Sequence, residues 1–106
     1  MDNVDNVVME IQKIYPYISI EVLKYMSNNA VSILLDTLYP FDDTKTIKDI
    51  PTRKENWVSR CVVEQIERKG FTSAIGYSEN GINFKFDRAQ ISQGLIDEIT
   101  PKGGVW

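Results

Sequence analysis

Histidine is missing from all 106 residues. The usual general base near neutral pH is therefore absent, and so are Ser-His and Cys-His nucleophile pairs. Cysteine occurs once, as Cys61. One cysteine closes no internal disulfide, which fits a reducing compartment, and Cys61 reads as a small apolar residue of the core. No apolar run approaches the roughly 20 residues needed to span a bilayer. The opening MDNVDNVV has no basic region of the kind a signal peptide carries, so an intracellular origin is expected. Positive charge is also in short supply: 12 Lys and Arg against 15 Asp and Glu, net charge −3, with pI near 4.9. That argues against free-standing affinity for nucleic acid, which needs a basic face. It leaves room for a channel wall that DNA slides past without being gripped.

The six glycines form no phosphate cradle, since Gly76 and Gly81 fall in a hairpin pattern and not between a strand and a helix. Asp42, Asp43 and Asp49 lack the alternating carboxylates, glycine and distal glutamate of a calcium loop. They read as turn formers and solvated charge, so no metal site is expected. Asp97 and Glu98 are adjacent in a helical pattern and point in different directions. No cofactor motif and no catalytic constellation emerge, and the chain reads as a non-enzymatic protein. There is also no internal repeat, low-complexity tract or long linker, which leaves one domain, residues 1–101, and a short tail, 102–106.

What the sequence does contain is helical periodicity. The stretch from Glu55 to Phe86 organises the rest: an amphipathic helix, a glycine stop and a β-hairpin. Trp57, Val58, Cys61, Val62 and Ile66 recur at spacings of three and four and make one stripe. Pro51, Thr52 and Glu55 give the helix a T-x-x-E capping box. Arg68 and Lys69 suit its negative end, and Gly70 suits a left-handed cap. Val4 to Tyr15 reads as a first helix with Val4, Val7, Val8, Ile11, Ile14 and Tyr15 inward, capped by Asp2, Asn3 or Asp5 and ended by Pro16. Ser19 caps a second, running to about Leu38, with Leu23, Met26, Ala30, Ile33, Leu34 and Leu38 inward. Phe41 to Ile50 reads as a loop. A last short helix falls within Asp87 to Ile99, starting at Asp87 or Ser92, with Ile91, Leu95, Ile96 and Ile99 inward and Pro101 as its stop. The fold class expected is mainly α, a bundle of three to four helices.

Asn80-Gly81 is the strongest short signal for a type I′ turn. With those two as the loop of a hairpin over 71–86, Glu79 pairs with Ile82, Tyr77 with Phe84 and Ile75 with Phe86. Ser78, Asn83 and Lys85 then face the other way. A lone hairpin is marginal in water, so its apolar face must lie on the helices or on a neighbouring subunit. In the tail, Lys102, Gly103, Gly104, Val105 and Trp106, a flexible joint carries a terminal tryptophan. Such a residue either folds back onto its own domain or anchors in a partner, where tryptophan is a frequent hot spot.

The pattern P-x-R-x-E-N-W-V-x-R-C-x-x-E-x-I-E-R-K-G, then S-E-N-G-I, then L-I-x-E-I-T-P resembles the small head-tail connector proteins of long-tailed bacteriophages, also called phage DNA-packaging proteins. The matching residues are Pro51, Arg53, Glu55 to Val58, Arg60, Cys61, Glu64, Ile66 to Gly70, Ser78 to Ile82 and Leu95 to Pro101, and Leu38-Tyr39-Pro40 also fits. The match spans nearly the whole chain, although its motifs are structural and not catalytic. The resemblance implies a portal adaptor: a subunit of a ring, typically dodecameric, beneath the portal protein of the filled capsid. Such a ring extends the channel for genomic DNA without sequence-specific binding and presents a surface to the next connector, stopper or tail protein. It also implies a virion location, with synthesis in the host cytoplasm and no membrane. By the same resemblance, Lys102 to Trp106 would dock into the portal. The region from Phe71 to Phe86, with Tyr77, Ser78, Glu79, Asn80, Gly81, Ile82, Phe84 and Lys85, would face the channel or a neighbouring subunit.

The alternative is a winged-helix DNA-binding regulator, since three helices and a hairpin are that fold's element order. The central helix carries Arg53, Lys54, Arg60, Arg68 and Lys69, but Glu55, Glu64 and Glu67 offset them. A recognition helix should instead leave a positive surplus toward phosphate. A phage-encoded inhibitor that binds a host factor is a third reading, which no residue singles out.

Overall fold

The computed structural model describes residues 1–68 and 88–100. Within them the chain is helical: α1 is Asp5–Ile14, α2 is Ile20–Leu38, α3 is Glu55–Arg68 and α4 is Gln93–Ile99. No strand occurs among the described residues. The expected hairpin over 71–86 and the tail 102–106 lie outside them.

The apolar stripes do what their spacing requires. Val4, Val7, Val8 and Ile11 from the first segment, Leu23, Met26, Ala30, Val31 and Leu34 from α2, and Trp57, Val58, Cys61, Val62 and Ile66 from α3 form one buried cluster. Ile91, just before α4, and Leu95, Ile96 and Ile99 of α4 close it. Ile33 and Leu38 pack against it half-buried. The stripe omitted Ser27 and Thr37, which are also buried on α2. Thr37 satisfies its hydroxyl by donating to the Ile33 carbonyl at 2.9 Å. Three expectations for α1 change. The helix is shorter by one residue at each end, Ile14 is exposed, and Val4 occupies the cap position. The first open amide is served by Asn3, whose Oδ1 accepts from the Asp5 N–H at 2.9 Å. Ser19 caps α2 as expected, its Oγ accepting from the Val22 N–H at 3.3 Å.

The capping box before α3 is a correction. Thr52 lies inside a 3₁₀ turn, Thr52–Lys54, that leads directly into α3, and the cap position belongs to Pro51, which offers no side-chain acceptor. A box of the same spacing forms six residues earlier. Thr46 Oγ1 accepts from the Lys48 N–H at 3.4 Å, and Asp49 Oδ2 accepts from the Thr46 N–H at 2.8 Å. It encloses a second 3₁₀ turn, Ile47–Asp49, within the stretch expected to be irregular. Ile50 follows and is buried in the core, where its carbonyl accepts from the Met1 amino group at 2.5 Å. The loop is thus tethered at its base, while most of its residues stay exposed. The last helix begins at Gln93, after Ser92, so of the two proposed starts the later one holds. A 3₁₀ turn, Arg88–Gln90, precedes it.

Candidate functional site

A row of polar bonds joins α3 to α4 and to the turn that precedes it. The Trp57 indole Nε1–H donates to the Leu95 carbonyl at 2.8 Å. The Gln65 amide and the Arg68 guanidinium both donate to the Gln90 carbonyl, at 2.9 and 2.6 Å. The Glu64 carboxylate accepts from the Ser92 N–H at 2.9 Å. At the other end of the row Arg60 makes a bidentate pair with Glu98, at 2.6 and 2.5 Å. Arg60 also donates to Asn56 Oδ1 at 3.0 Å. Gln65 is buried and its amide must be satisfied, so this bond has a defined cost if broken.

These bonds tie the end of α3 to the turn before α4, and Arg68, the last described residue of α3, reaches the Gln90 carbonyl directly. Residues 69–87, which include Tyr77, Ser78, Glu79, Asn80, Gly81, Ile82, Phe84 and Lys85, lie between these two positions in the sequence. Arg68, expected only to complement the helix dipole, has this more specific role. The residues after Thr100, which include Lys102, Gly103, Gly104, Val105 and Trp106, follow the Arg60–Glu98 pair in the sequence. All these candidate residues lie outside the described part, so the structure brings none of them together.

Two grooves open on the described surface. One, of about 400 Å³, lies between α1 and α3 and is lined by Ile14, Ser59, Arg60, Val63, Glu64 and Glu67. Its charges are occupied: Arg60 by Glu98, Glu64 by Ser92, and Glu67 by the Tyr15 hydroxyl, which donates to it at 3.1 Å. The other, of about 370 Å³, is acidic, with Asp2, Asp5 and Glu55 along it.

The residues a chemist would test first are placed unpromisingly for reaction. Cys61 is buried, and desolvation, helped by the charge of Glu64, pushes its thiol up to about 12. A thiol so protonated is a poor nucleophile. Asp42 spends its carboxylate on Thr44, accepting from the backbone N–H at 3.0 Å and the hydroxyl at 2.5 Å. Those bonds hold it below the usual carboxylate range. Among the described residues no three His, Cys, Asp or Glu side chains are grouped to hold a metal ion. Nor is any helix there long and apolar enough to cross a membrane.

Sequence reasoning missed one exposed feature. Phe41 stands 99% exposed at the tip of the loop after α2. The signal was present, a phenylalanine between Pro40 and two aspartates, but a loop reading assigns it no direction. No protein-family model matches the chain, and no curated protein or solved structure is similar to it.

Proposed function

We infer that the chain is a head-tail connector of a long-tailed bacteriophage, a non-enzymatic adaptor that forms a ring under the portal, extends the DNA channel and links capsid to tail. The reading rests on the resemblance of Pro51 to Gly70, Ser78 to Ile82 and Leu95 to Pro101. The observation that favours it most is the clamp of Gln65 and Arg68 on the Gln90 carbonyl. An adaptor must present its contact segments from a body that does not move with them, and this clamp ties the end of α3 to the turn before α4.

The same bonds weigh against a winged-helix regulator. Two of α3's cations, Arg60 and Arg68, are committed to Glu98 and to the Gln90 carbonyl. A recognition helix needs such groups free for phosphate. In the connector reading the partners are further copies of the chain, the portal, the next connector or tail protein, and DNA in transit.

The test is assembly. Purified chain mixed with a purified portal ring should add a collar visible by negative stain. Deleting Lys102 to Trp106 should abolish attachment while leaving the helical circular-dichroism signal intact. Tight duplex binding by the isolated chain in a low-salt gel shift would favour the regulator instead.

A further inference from the structure

The groove along α3 is one continuous surface with a mixed lining. Its apolar floor is Val63, half-buried, and Ile14, 62% exposed. Its polar wall carries an excess of acid. Arg60 is matched by Glu98, whereas Glu64 and Glu67 bond to donors that bring no positive charge, the Ser92 N–H and the Tyr15 hydroxyl. Ser59 Oγ, on the same lining, is buried with no hydrogen-bond partner among the described residues. The described chain therefore leaves this groove with uncovered apolar area, two unmatched carboxylates and an unserved hydroxyl.

The segment that follows α4 fits it in position, length and charge. Thr100, the last described residue, lies two residues after Glu98, whose carboxylate is bonded to Arg60 on the groove wall. Two residues span at most about 7 Å, so the segment starts beside the groove. From Thr100 to Trp106 an extended chain reaches about 20 Å, and Arg60 to Glu67 covers only about 10 Å of helix. The sequence PKGGVW has one cation, Lys102, and no acid, whereas residues 69–87 balance Lys69 and Lys85 with Glu79 and Asp87. Gly103 and Gly104 allow close approach of backbone to the helix, and Val105 and Trp106 supply apolar area.

We propose that in the free chain the segment Lys102 to Trp106 folds back into this groove, with Lys102 against Glu64 and Glu67 and Trp106 over Ile14 and Val63. The contact is autoinhibitory: it hides the element assigned to portal docking until the portal competes for it. That role rests on the connector reading, while the contact itself does not.

The test uses the tryptophan. In the full chain with Trp57→Phe, checked for helicity by circular dichroism, Trp106 is the sole indole. Acrylamide should quench it at least threefold less than it quenches the peptide PKGGVW. Lys102→Glu, or Ile14→Glu, should return quenching to the peptide's value. Peptide-like quenching in the parent, or no change with Ile14→Glu, overturns the proposal. Quenching that rises on dilution also overturns it, because the groove would then belong to a second copy. A second arm keeps Trp57. With Cys61 buried, Ile14→Cys should react with a maleimide at least threefold more slowly in the full chain than in one lacking 102–106, and equal rates count against the contact. A chain that decorates the portal although its free tryptophan is fully quenched sinks this contact alone; a shielded tryptophan in a chain that ignores the portal sinks the connector reading alone.

Discussion

The indole N–H of Trp57 donates to the backbone carbonyl of Leu95, 38 positions further along the chain, inside the buried core. One side chain thus supplies both apolar area on α3 and a polar tie to α4, a helix of 7 residues too short to be stable by itself. Trp57→Phe keeps most of the area and loses the tie, which should cost about 1 kcal/mol. Trp57→Ala opens a cavity and should cost about 3–5 kcal/mol. Urea unfolding followed by circular dichroism measures both, and equal midpoints for wild type and Trp57→Phe would show the bond to be idle.

Ser27 on α2 is fully buried and its Oγ has no hydrogen-bond partner among the described residues. A buried hydroxyl left unpaired is a net cost. Ser27→Ala removes it and adds a better helix former, and should raise stability by about 1 kcal/mol. A lower melting temperature in that variant would mean the hydroxyl is satisfied in solution.

Glu98 is held below the usual carboxylate range, first by its hydrogen bonds from Arg60. A depressed folded pKa means that the pair's contribution is present above the ordinary carboxylate value and lost as pH falls through the lower, folded one. The acid limb of a stability–pH curve should therefore flatten in Glu98→Gln. The pair is surface-exposed, at 47% and 44%, so 1 M salt should flatten the wild-type limb in the same way.

Burial moves Cys61 in the other sense, from an ordinary 9.0 to about 12. Its contribution is complete below the ordinary thiol value and is lost as pH rises toward the folded one. At pH 8 an aromatic disulfide reagent should label Cys61 only as fast as the domain opens. Labelling at the rate of the denatured chain would mean that the α3 stripe is not the interior.

The Asn80-Gly81 turn is read from sequence alone and can be tested as such. Both positions of a type I′ turn need positive φ, so replacing the pair with two alanines should disrupt the hairpin. Portal assembly followed by negative stain then asks whether the hairpin matters, and an unchanged collar would make it incidental.

Much of this domain was written in local terms that a reader of the chain can decode. The stripes of α2 and α3, the Ser19 cap and the stop before Pro16 each depend on residues within a turn of one another, where helix geometry leaves a periodic trace. Asn80-Gly81 and Gly103-Gly104 are local backbone signals of the same kind, and both lie outside the described residues. Choices between equivalent local signals were not legible. Thr46–Asp49 and Thr52–Glu55 have the same spacing, yet only the first forms a box, in a turn that sets Ile50 into the core beside Met1. Tertiary structure alone could assign Gln65 and Arg68 to one carbonyl at Gln90, pair Arg60 with Glu98, and turn Ile14 and Phe41 outward. Those outcomes join positions 22 to 38 residues apart or depend on which side of a helix is left uncovered. Hydrogen bonds at such separations have no period, so nothing in the order of the residues announces them until the helices have packed.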